Sequence, residues 1–210
     1  MEWSIPTALG GLLAVWVGVG LATGRFGVEN AKYSVLRSWG PSLELRHYPA
    51  HVEATIPLRE ADVQRASGRG FQPLAGYIFG GNAQQQSIAM TTPVIITKPP
   101  TASAPHRVSF VLPAKHALPA LPQPNDPRVE LVQHEARLHA VRRMSAFTLA
   151  PRFEAARLER ELAALEAEAA AAGLTWDPST VQRSVRAYDP PWCPFFISRT
   201  EVSLHPVQER

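Results

Sequence analysis

Residues 43–56 read LELRHYPAHVEATI, and this stretch decides the fold class. Leu43, Leu45 and His47 fall on one side of an extended chain and Glu44, Arg46 and Tyr48 on the other, because side chains alternate with period two along a strand. Pro49 and Ala50 interrupt the run, and His51–Ile56 then alternates again. Two half-buried strands are therefore expected here.

Toward the C-terminus, Phe71, Leu74, Ala75 and Ile78 recur at i, i+3, i+4 and i+7, one face of a helix. Gly68, Gly70 and Pro73 confine that helix to a short piece with Pro73 in its first turn, and Gly80-Gly81-Asn82 stops it. Ile88–Thr97 is apolar and β-branched, and Val108, Phe110 and Leu112 alternate, so both read as strands. Pro113, Pro119, Pro122, Pro124 and Pro127 mark an extended loop inside the domain. Arg128–Gln133 and Arg137–Met144 are further strands. The clearest helix runs from about Arg152 to Ala172: Leu158, Leu162, Leu165 and Ala169 form its apolar stripe, Arg157 and Glu161 pair at i,i+4, and Gly173 is its stop. Strands near Val181–Tyr188 and Arg199–Leu204 complete the pattern.

Strand, strand, helix, strand, strand thus occurs twice, without sequence identity between the halves. The expected class is α+β, with antiparallel strands in curved sheets and two helices packed on them. No strand is followed by a glycine fingerprint, which excludes a dinucleotide-binding fold.

Toward the N-terminus, Ile5–Ala22 (IPTALGGLLAVWVGVGLA) carries no charge. As a helix its eighteen residues would span about 27 Å, close to the roughly 30 Å hydrocarbon core of a bilayer. The expectation is a membrane-associated protein with a single N-terminal apolar helix over residues 1–24 and a folded domain over 25–210. Gly20 and Ala22 fit positions −3 and −1 of a cleavage site, which would make the domain exported or periplasmic. Against cleavage, the n-region has Glu2 and no Lys or Arg. Arg25, Lys32 and Arg37 on the C-terminal side favour a cytoplasmic domain, so orientation stays open.

The 210 residues suit one domain plus a short appendage. A single Cys excludes an internal disulfide framework and any all-thiolate metal site. A net charge of +3, scattered along the chain, gives no footprint for nucleic acid.

An ordered set of segments resembles the SOUL/heme-binding-protein family: LELRHY at 43–48, GFQPLAGYIFGGN at 70–82, IAMTTPV at 88–94, FVLP at 110–113, PQPNDP at 122–127, YDPP at 188–191 and Glu201-Val202. The resemblance spans most of residues 33–204. It implies a distorted β-barrel of two antiparallel sheets flanked by two helices, with haem or another tetrapyrrole in a shallow hydrophobic cleft. It implies neither a catalytic triad nor a metal beyond the one a porphyrin brings. The chain departs from the family at Gly68 and Gly70, in a helix that is longer in other members and helps line the cleft. It departs again at Ser198-Arg199-Thr200, where Arg-Arg-Asn commonly precedes Glu-Val.

A haem site needs an apolar slot, in some cases an axial donor, and cations for the propionates. Phe71, Leu74, Ala75 and Ile78 supply the slot, unless they simply pack on the sheet. Phe71 and Ala75 match family positions that contact porphyrin. His47 shares the apolar side of its strand and is the leading axial donor. It matches a ligating His of some members, whereas others bind haem without a protein ligand; otherwise it is a partly buried His bonded to a neighbouring strand. Cys193-Pro194 resembles a short thiolate motif and is a weak alternative, Cys193 being otherwise a small apolar residue in a turn. Arg46, Arg143, Arg186 and Arg199 are candidate propionate partners of equal standing, unless they are simply solvated surface arginines. His51, His106, His116, His134, His139 and His205 show no metal spacing.

The expected function is a haem or iron-free porphyrin carrier or buffer, not an enzyme. Its partners would be the tetrapyrrole and a membrane, with no nucleic acid and no protein partner legible. A haem-modifying enzyme on the same scaffold, or an interaction module that has lost the ligand, are the competing functions.

Overall fold

The computed structural model describes residues 28–59, 63–98, 104–144, 154–189 and 198–209. The expected span at Ile5–Ala22, the 24/25 domain boundary and Cys193 lie outside these residues. Among the described residues no helix is long and apolar enough to cross a membrane. The membrane-associated localisation expected from the sequence is therefore corrected, since no described element supplies the span it requires.

The first strands are β1 (Glu29–Asn30), β2 (Ser34–Trp39), β3 (Leu43–Tyr48) and β4 (His51–Leu58). Helix α1 (Val63–Ile78) leads to β5 (Thr91–Thr92), β6 (Val94–Lys98), β7 (His106–Val111), β8 (Glu130–His134) and β9 (Arg137–Arg143). Helix α2 (Ala155–Ala171) precedes β10 (Leu174–Thr175), β11 (Gln182–Ala187), β12 (Thr200–His205) and β13 (Gln208–Glu209).

Nine strands make one antiparallel sheet in the order β2-β3-β9-β12-β11-β6-β7-β4-β8, curled into a half-barrel. The expected α+β class holds, but the expected pair of sheets is replaced by one. The reason is the β6–β11 pairing, Ile96 opposite Val185, which carries the hydrogen-bond ladder across the middle of the molecule. The repeat of strand, strand, helix, strand, strand is real in topology, and its first strands are exchanged. The first unit's β3 pairs with β9, and the second unit's β8 pairs with β4.

Both helices cover the same face. A cross-strand row runs Ile56, Val108, Ile96, Val185, Val202, Arg142, Leu43. Residues directly opposite each other share a face. Helix α1 packs on β4, β6 and β7 over one end of this row, and α2 packs on β3, β9 and β12 over the other. Arg142 is gripped there by Glu161 and Glu168 of α2. The buried apolar side chains of the sheet and both helices make one core between these layers.

Helix α1 is the main departure from the expected elements. It has 16 residues and runs through Gly68 and Gly70, with Pro73 in its interior instead of its first turn. A Cβ at Gly70 would lie 2.7 Å from the Cβ of Val108, so the glycine lets α1 lie close on β7. Packing of Val63, Ala66, Leu74 and Ile78 on the sheet stabilises a helix whose propensities alone argue for a short one. In α2 the expected stripe Leu158, Leu162, Leu165 and Ala169 is buried, and Gly173 takes φ +82° at its end. Glu161 pairs with Arg142 on the sheet instead of Arg157 on its own helix.

Asn82 ties down the end of α1. Its buried amide donates to the carbonyls of Tyr77 (3.0 Å) and Gln86 (2.7 Å) and accepts from the Gln86 N–H (3.0 Å). Tyr77 donates to the Pro122 carbonyl and Asn125 N–H to the Gly81 carbonyl, which clamps the proline loop against the same corner. The GGN and PQPNDP segments therefore serve as scaffold.

Candidate functional site

The face of the sheet away from the helices, here the far face, carries the alternate residues of every strand. Its central row is Thr55, Ser109, Ile95, Arg186, Glu201, Arg143. Most of this row is buried although it is polar. Glu201 is fully buried and accepts from Arg46 at 2.8 and 3.1 Å, from Arg199 at 2.8 and 3.0 Å and from Tyr188 at 2.9 Å. Arg46 also donates to Glu44 (2.7 Å) and lies 4.3 Å over the Tyr33 ring. Burial pushes the Glu201 carboxyl up, but Arg46 and Arg199 outweigh it and hold it at about 2.

Beside this cluster stand Arg186, His139, His205 and Arg137. The Arg186 Nε donates to Ser203 (3.0 Å), its Nη2 donates to His139 Nδ1 (2.9 Å), and its guanidinium lies 4.5 Å from the Tyr48 ring centre. His139 and His205 stack at 4.3 Å, and Arg137 contacts His205 and His134. Burial first, then neighbouring charge, holds His139 and His205 well below the ordinary imidazole range, so both are neutral. His139 Nε2 is buried without a hydrogen-bond partner. On β4, Glu53 lies between His51 (3.2 Å) and His134 (3.3 Å). Burial raises its carboxyl, and the two imidazoles lower it further than burial raises it.

A cavity of about 340 Å³ opens here, lined by Tyr48, His51, Val111 and Arg186 together with the β1 segment and residues 112–119. Lys32, Lys115 and His116 also line it. Among the described residues no group of three His, Cys, Asp or Glu side chains could hold a metal ion.

The slot residues and the axial candidate singled out in the sequence lie on the other face. Leu74 and Ile78 are buried in the core, and Phe71 and Ala75 are half-buried on α1, with Phe71 edge-on to Phe110 at 5.3 Å. His47 is half-buried on β3, opposite Leu138 and Ser34, under the α2 half. Four strands stand between β3 and β7 in the sheet order; α1 packs mainly on β7 and β4, and α2 packs on β3. Of the arginines, Arg46 and Arg199 are consumed by Glu201, whereas Arg186 lines the cavity.

Sequence reasoning missed Phe79, one residue past α1. It lies at i+8 from Phe71 and i+4 from Ala75, and its N–H still donates to the Ala75 carbonyl (3.0 Å). Phe79 is 67% exposed. The 71-75-79 spacing was the available signal. On the adjoining ridge Gly68 and Gly76 are exposed, and a Cβ at either would meet nothing within 4 Å.

Known proteins resemble this chain at two levels. Among solved structures, the C-terminal domain of EcmrR is 10% identical with a TM-score of 0.56, over 85% of this chain and 99% of that one. EcmrR in its DNA complex is 9% identical with a TM-score of 0.57, over 97% and 69%. A hydrolase from Listeria innocua is 11% identical with a TM-score of 0.50, over 81% and 94%. These likenesses show the fold alone. No curated protein matches the chain significantly. The family described as SOUL heme-binding protein matches residues 28–205, nearly the whole described structure, and its ligand is haem or a porphyrin. The chain belongs to the SOUL heme-binding protein family.

Proposed function

We propose that this protein is a haem or porphyrin carrier or buffer that holds the macrocycle flat against α1. The observation that carries the reading is the apolar line Phe71, Ala75, Phe79, half-buried at its first two residues and ending in an uncovered aromatic ring. A planar apolar ligand fits this surface. The aromatic rings offer stacking faces, and the missing side chains at Gly68 and Gly76 leave the helix surface low beside them.

Bound porphyrin supplies whatever redox or ligand chemistry the complex has; the chain supplies the apolar seat. Leu74 and Ile78 shape that seat from beneath, since both are buried against the sheet. Because His47 lies on the α2 half, apolar contact and not iron ligation holds the ligand in this reading.

The test is an absorption titration with haemin and with iron-free protoporphyrin. Both are expected to bind saturably at one to one with similar affinity. Replacing Phe79 by Asp is expected to weaken both by about tenfold or more, through loss of one aromatic contact and insertion of a charge. His47→Ala is expected to leave the Soret band unchanged. Binding of haemin alone, abolished by His47→Ala, would move the site to β3; no saturable binding would favour the interaction module.

A further inference from the structure

The cavity on the far face ends on a buried cation that has no counter-charge among the described residues. Arg186 is 2% exposed, and its contacts are Ser203, the neutral His139 and the Tyr48 ring. Glu201 stands directly opposite Arg186 on β12, but its oxygens accept from Arg46, Arg199 and Tyr188. Glu53 is bonded to His51 and His134. Among the described residues no carboxylate lies within ion-pair distance of Arg186. The next cation, Arg137, adds positive charge and none of the other sign. An unpaired guanidinium out of water is costly, and an anion placed beside it offsets that cost.

We propose that this cavity is a second ligand site, separate from α1, that binds a small organic carboxylate with an apolar body. The carboxylate sits toward Arg186, and the body lies along Val111 and Leu118, which line the same space. Lys32 and Lys115, both exposed at the cavity, draw the anion in. Glu29 also lines the cavity, but its carboxylate is turned to the Ala114 N–H at 3.3 Å. A volume of about 340 Å³ is at the small end for ligand pockets, which selects a small molecule. The sheet itself separates the two sites: Arg186 faces the cavity, while its neighbour Val185 lies in the row that the helices cover.

Calorimetric titration of the full chain with octanoate, octanol and inorganic sulfate tests this. Octanoate is expected to bind saturably at one to one, with octanol and sulfate at least about tenfold weaker, because each lacks one of the two contacts. Lys115→Ala, at an exposed position that leaves the fold intact, is expected to weaken octanoate severalfold. Arg186→Gln is expected to abolish binding, with circular dichroism confirming that the variant folds. Phe79→Asp is expected to leave octanoate affinity unchanged, which separates this site from the porphyrin surface. Equal binding of octanol, equal binding of sulfate, absence of saturable octanoate binding, or loss of octanoate binding in Phe79→Asp would each overturn the proposal.

Discussion

His139 and His205 face each other from β9 and β12, enclosed by Arg137, Arg186 and Tyr48, with Glu53 the nearest acid on β4. Both imidazoles are neutral in the folded chain and ordinary in the unfolded one. Below the ordinary value of about 6.5 the unfolded chain binds protons that the native chain refuses, so stability falls as pH drops. The loss is expected to approach about 1.4 kcal/mol per pH unit for each histidine until its folded pKa is reached. Glu201 acts in the same direction at lower pH: its carboxyl is held at about 2, so its contribution is complete above about 4.5 and lost as pH falls toward 2. Urea unfolding at pH 7.5, 6.5 and 5.5 measures the histidine part, and a flat profile would contradict the neutral pair. None of this was legible in the sequence. Arg46, Glu201, Ser203 and Arg186 occupy the polar positions of alternating strands, which normally face water. The curl of the sheet encloses them instead.

Helix α1 shows how one residue type can carry opposite meanings two positions apart. Gly70 faces β7 with no room for a methyl group, whereas Gly68 is exposed with open space beside it. Gly70→Ala is therefore expected to destabilise the protein by about 1–3 kcal/mol through overpacking. Gly68→Ala is expected to stabilise it by up to about 1 kcal/mol through helix propensity. Thermal melts of the two variants should move in opposite directions, and a shift of both the same way would refute this placement. The apolar period of Phe71, Leu74, Ala75 and Ile78 revealed the helix, but its start at Val63 was hidden by two glycines and a proline. Their cost is met by tertiary contacts that no local pattern contains. Period two likewise put His47 on the face of Leu43 and Leu45, as the register with Leu138 and Ala140 bears out. Which helix covers that face depends on the partners of β3, and these come from distant β2 and β9.

At the scale of the molecule, the two repeated units exchange first strands and share one sheet, so neither half is self-contained. That arrangement gives the protein two unlike surfaces. One is the helix side, with a single core and the uncovered line Phe71, Ala75, Phe79; the other is the polar far face with its cavity. Repeat order and antiparallel character were readable from strand and helix periodicity. Closure through β6 and β11 was not, because strand pairing between units leaves no mark in either segment alone. The family match fixes the ligand class, and the two-faced architecture turns the question of function into one of location. Amide chemical-shift mapping by NMR, with iron-free protoporphyrin added to the labelled protein, answers it most directly. The account expects the perturbed amides to centre on Gly68, Phe71, Ala75, Gly76 and Phe79, with those of Arg186 and His139 unmoved. A perturbed set centred on His47 and α2, or on the far face, would contradict it.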